Sequence, residues 1–118
     1  MALPENLIQE LEVFRFQESK MSNSFSQNQI DEFLLVKDAE GISPRTYDGY
    51  EYNLTRFKDF IGEKELTSLK VTEYLIALKD RGVGDWYRKN NAQTIKTFMN
   101  YLHKHYDYPK PDFAMPKI

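Results

Sequence analysis

His103 and His105 are the side chains best suited to metal or general-base chemistry, and their spacing works against both. Two residues apart on a helix, they point about 200° away from each other and cannot share a metal ion. They read as solvated surface histidines. The chain has no cysteine, which removes disulfides, thiolate zinc sites and cysteine nucleophiles together. Glu63 and Glu65 are the closest pair of carboxylates outside a predicted helix, and they read as solvent-facing turn residues rather than a general acid and base. Gly82-Val83-Gly84 lacks the rest of a phosphate-binding loop and follows no strand, so it is punctuation. The expected chain is non-catalytic, with no metal, no cofactor and no small-molecule substrate.

Binding chemistry is better represented. Arg45, Gly49, Tyr52 and Arg56 fall within about 60° of arc on one predicted helix, opposite its apolar stripe. Lys89, Gln93, Lys96, Asn100 and Lys104 share one polar face of another. Lys and Arg neutralise phosphates, while Arg, Asn and Gln make bidentate contacts to guanine or adenine edges. The same stripes also serve as the charged outer face that any soluble helix needs, and Asp48 and Asp59 share the outer surface of the helix that carries Arg45 and Arg56. Periodicity alone leaves both readings open.

The elements that must position these residues are helices. The chain has 118 residues, 41% of them hydrophobic and 14% aromatic, which fits one folded domain and excludes a disordered tail. No run of 18 apolar residues offers a membrane span, and MALPENLIQE lacks the basic head and apolar centre of a signal peptide. The expected location is cytoplasmic, in keeping with the absent cysteines. Net charge is −2, but unevenly spread: residues 1–40 carry eight acids against three basic residues, whereas residues 41–118 carry 13 basic residues against ten acids.

Five helices are predicted. The first runs from Pro4 to Glu18, with Leu7, Ile8, Leu11 and Phe14 on one side, and a polar linker, Gln17 to Ser24, follows. The second opens at Ser26 with a capping box to Gln29, carries Ile30, Phe33, Leu34 and Ala39, and stops at Gly41. The third opens at Ser43-Pro44 and places Tyr47, Tyr50, Leu54, Phe57 and Ile61 inward before Gly62. The fourth opens at Thr67 and buries Val71, Tyr74, Leu75 and Leu78 before Gly82. The fifth runs from Gly84-Asp85 to about Tyr106, with Ala92, Ile95, Phe98, Met99 and Leu102 as its stripe. Three prolines in the remaining residues forbid a further helix and favour an extended strap. The expected fold is all-α: a four-helix bundle, an additional N-terminal helix and an extended Pro-rich tail.

From Ile30 onward the chain resembles the core-binding domain of tyrosine recombinases, the SAM-like helical domain of phage integrases. The resemblance rests on Ile42-Ser43-Pro44-Arg45-Thr46 followed by Tyr50, Leu54, Phe57 and Phe60. Leu66-Thr67, Val71, Tyr74-Leu75, Leu78 and Gly82 continue it, and Ile95 to Leu102 is similar to the family's closing Phe-aromatic-x-Tyr-Leu pattern. Roughly 80 of the 118 residues are covered. Lys70 stands where the family usually has Asp, the Arg expected near Asn90 is displaced to Arg88 or Lys89, and the family's Asn-Pro appears as Tyr108-Pro109.

The resemblance implies a module that clamps double-stranded DNA in site-specific recombination or integration. Its third and fifth helices would meet the duplex through Ser43, Arg45, Thr46, Arg56, Arg88, Lys89, Gln93, Lys96 and Asn100. Catalysis in the family belongs to a separate C-terminal domain carrying arginines, a lysine, a His-x-x-Arg box and a tyrosine nucleophile. No arginine follows Arg88, so neither histidine begins such a box. The implied organisation is an N-terminal helix and linker at 1–25, the core-binding domain at 26–107 and a linker towards a catalytic domain at 108–118. Neighbouring recombinase protomers are a second implied partner, and no membrane is. The alternative is a non-catalytic helical protein-interaction module docking through the acidic front half.

Overall fold

A computed structural model describes residues 24–117. Among them the order is α1 (Gln27–Ala39), α2 (Pro44–Ile61), α3 (Ser68–Asp80) and α4 (Asp85–His105), with no strand. These are the second to fifth predicted helices. The predicted helix from Pro4 to Glu18 lies outside the described residues. None of the described helices is long and apolar enough to cross a membrane.

Local chemistry sets the helix ends. At α1, Ser26 Oγ accepts from the Gln29 amide at 3.2 Å while Gln29 Oε1 accepts from the Ser26 amide at 2.8 Å, a complete capping box. Ser43 Oγ accepts from the Thr46 amide at 3.1 Å, and Pro44 supplies a fixed φ at the first helical position of α2. Thr67 caps α3 through the Lys70 amide at 3.1 Å. Gly84 precedes α4 without a side-chain cap. After α3 the chain reverses through Gly82 at φ +80°, where the Gly82 amide donates to Lys79 O and the Val83 amide to Leu78 O. That bond pair needs a left-handed residue between its donors, which is the reason for glycine.

Three fully buried rings hold the helices together: Phe33 from α1, Phe57 from α2 and Phe98 from α4. Phe25 sits between two of them, stacked on Phe57 at 5.6 Å and edge-on to Phe98 at 5.2 Å. The sequence reading leaves Phe25 in the linker, yet it is 2% exposed and its neighbour across the cap, Ile30, is fully buried. Apolar residues at these two positions form the staple that fixes how the chain enters a helix. Leu54, Leu75, Leu78, Ile95 and Leu102 complete the predicted core, all buried, while Tyr50 is partly buried against Phe33 at 5.7 Å. Ala39, placed on the inward stripe of α1, is exposed in the helix's last turn.

The residues after α4 form neither helix nor strand. Tyr108, Phe113 and Met115 pack against the core. Tyr108 Oη donates to Ser24 O at 2.9 Å, and the Asp112 amide donates to Ser68 Oγ at 2.8 Å. His103 is exposed but not merely solvated, because its Nδ1 bonds Tyr108 O at 2.8 Å.

A polar latch joins α1 to the end of α4. The Glu32 carboxylate accepts from the hydroxyls of Tyr101 and, at 2.6 Å, Tyr106. The Tyr101 bond first, then the Tyr106 bond, hold Glu32 below its ordinary value of 4.5. A depressed carboxyl contributes stability above its unfolded value and loses it as pH falls through the folded one. Wild type should therefore melt above Glu32→Gln at neutral pH, with the gap closing as pH falls below 4.5. Melting curves from pH 7 to 3 test this, and a gap independent of pH would remove the latch from the account.

Candidate nucleic-acid interface

A buried amide fixes how α2 and α4 are turned towards each other. Asn53, 4% exposed, donates through Nδ2 to Thr94 Oγ1 at 3.0 Å and to Asn90 Oδ1 at 3.4 Å. Thr94 Oγ1 in turn donates to Asn90 O at 3.0 Å. Buried polar groups are costly unless bonded, so this seam tolerates little rotation of either helix. The residues flanking it are consequently presented at fixed angles.

On α4 the polar stripe is intact. Lys89, Gln93, Lys96, Asn100 and Lys104 are all exposed. Lys89 Nζ lies 5.9 Å from the Trp86 ring centroid, and Gln93 Nε2 reaches Thr97 Oγ1 at 3.5 Å. The side chains of Lys96 and Asn100 make no hydrogen bond or ion pair with any described residue. Their donors and acceptors are available to a partner. Arg88 does not join them. Its side chain is 15% exposed, paired with Asp85 in the first turn, and its Nε is buried without a partner. One residue is about 100° of helix, which separates the engaged Arg88 from the outward Lys89.

On α2 the candidates divide between its two ends. Ser43 Oγ is committed to the cap and also bonds Thr46 Oγ1 at 3.0 Å. What this end offers a phosphate is the positive end of the helix dipole and the exposed Arg45 side chain. Arg56 lies eleven residues on, about 16 Å along the axis. Its guanidinium covers the Tyr52 ring at 5.0 Å and donates to Tyr52 Oη at 2.9 Å. Hydrogen bonds from Arg56, then Tyr87, hold the Tyr52 hydroxyl below its ordinary value, and the Tyr52 bond raises Arg56 in return. The guanidinium is thus a pre-positioned cation beside the first turn of α4.

Behind Arg56 opens a cleft of 820 Å³ between α2, α3 and the start of α4. Tyr74 and Leu78, both buried, lie beneath it; Phe60, Val83 and Tyr87 line it, and Asp59, Asp80 and Arg81 are charged members of the lining. Burial pushes the Tyr74 hydroxyl up to about 12, with Tyr87 adding to the shift. Periodicity pairs Tyr52 with Arg56 at the four-residue spacing that stacks side chains on a helix, but it does not join them to Phe60, Tyr74 and Tyr87.

The two stripes thus meet in part: Arg56 joins the start of α4 through Tyr52 and Tyr87, whereas Ser43, Arg45 and Thr46 sit at the far end of α2. Among the described residues no group of three or more His, Asp or Glu side chains could hold a metal ion. No family model matches this chain, and no curated protein or solved structure is significantly similar to it.

Proposed function

We propose that the chain is a duplex-DNA-binding module of the tyrosine-recombinase core-binding type, a SAM-like four-helix bundle whose strand-cleavage chemistry belongs to a separate domain. The observation that carries this reading is the α4 face, where Lys89, Gln93, Lys96 and Asn100 stand exposed in register at three- and four-residue steps. Arg45, the first turn of α2, Arg56, Lys89 and Lys96 contact phosphates and set position. Gln93 and Asn100 are the amides that read adenine edges in the major groove. A DNA-binding role in a cysteine-free chain fits the cytoplasm, and neighbouring protomers on the same DNA are the second partner.

Salt dependence tests the proposal. Four Lys and Arg side chains at phosphates release counterions with a log–log slope of about −3.6, so affinity should fall about a hundredfold between 50 and 200 mM salt. A salt-independent affinity, or none at 50 mM, would overturn it. A helical protein-interaction module is the second reading, favoured by Leu35, Leu69 and Trp86, each at least 66% exposed. It predicts a partner whose binding survives high salt.

A further inference from the structure

We infer that the cleft behind Arg56 takes an unpaired nucleobase bearing an exocyclic amino group, adenine or cytosine above all, at a single-stranded end or gap beside bound duplex. This deepens the DNA-binding proposal and rests on it.

Three observations converge. First, three of the four exposed large aromatic side chains among the described residues line this cleft, Trp86 being the fourth. Tyr52, Phe60 and Tyr87 are 49%, 41% and 38% exposed, and all three line the cleft above the buried Tyr74. Phe60 and Tyr74 stand 5.1 Å apart between centroids, giving a tilted two-ring surface that includes an exposed edge. A duplex stacks its own bases and has no use for such a surface, whereas an unpaired base does.

Second, three of the four charged lining residues are unspent. Asp59, Asp80 and Arg81 make no side-chain hydrogen bond or ion pair with any described residue. Carboxylates repel phosphate but accept from the amino groups of cytosine and adenine, which thymine lacks. Arg56 and Arg81 supply cations for the phosphate of the same nucleotide. Third, the cleft is continuous with the proposed duplex surface, because Tyr52 and Arg56 belong to both. Its 820 Å³ is ample for one nucleotide.

The test compares one blunt duplex with the same duplex carrying a three-nucleotide overhang of adenine, cytosine or thymine, using the full chain at 50 mM salt. Adenine and cytosine overhangs should tighten binding about tenfold, the scale of stacking one base on aromatic rings, and thymine should gain less. Phe60→Ala should erase the overhang gain while leaving blunt-duplex affinity within about twofold, and Asp59→Asn with Asp80→Asn should erase the preference over thymine. Matching melting temperatures would show that the variants are folded. Blunt binding with no overhang gain, or a gain that survives Phe60→Ala, overturns this inference alone. Absence of binding to every duplex overturns the function it rests on.

Discussion

Replacing Phe57 or Phe98 with alanine is expected to cost about 3–5 kcal/mol of stability, a large share of the roughly 5–15 kcal/mol that holds a small domain folded. Both rings are completely buried. Phe98 meets Phe25 and Phe33 edge-on at 5.2 Å each, so one ring from α4 touches α1 and the residue that leads into it. Phe57 carries the contact onward, stacking on Phe25 and lying 5.1 Å from Tyr74 of α3. Deleting either ring removes its transfer free energy and leaves a cavity walled by other rings that cannot close it. Urea unfolding of the two variants measures the loss. Phe60→Ala is the internal control, since that ring is 41% exposed and its removal opens no cavity. A loss below about 1 kcal/mol at Phe57 or Phe98 would mean that the four helices do not share this core.

The elements were legible because their ends are written locally. Ser26 with Gln29, Ser43 with Pro44, and Thr67 each cap a helix where the residue types predict. Stripes at three- and four-residue steps identified the inward residues of α2, α3 and α4. Features that depend on another element were not legible. Asn53 looks like any polar residue beside a core stripe, and only the approach of α4 shows that its amide is spent on Asn90 and Thr94. Phe25 was read with its polar neighbours, whereas its burial depends on Phe57 and Phe98, residues far along the chain. Arg88 is a candidate only through the resemblance, which expects an Arg near Asn90; such a register ignores the partner in the first turn, and Asp85 takes that arginine. The cleft needed three elements at once, so no single periodicity announced it.

The proposed duplex surface predicts a response that depends on position. Arg45→Glu together with Lys96→Glu should weaken duplex binding more than a hundredfold at 50 mM salt, because each change removes a phosphate contact and adds a repulsive one. Both side chains are exposed, and neither bonds another described residue, so melting temperature should hardly move. Overall charge alone must be separated from position, since any two such reversals make the chain more acidic by the same amount. Lys64 and Lys79 provide the comparison: both are exposed, one in the turn after α2 and the other in the last turn of α3, and neither belongs to the α4 stripe. Lys64→Glu with Lys79→Glu should weaken binding only a few-fold through the long-range field, and salt should screen most of that difference. The residual salt slope of the first pair, measured with enough protein to see binding, should be shallower than wild type by about two, one for each lost contact. Equal losses from the two pairs would mean that DNA responds to net charge and not to the α2–α4 surface. A greater loss from the second pair would move the duplex to the α3 side of the bundle.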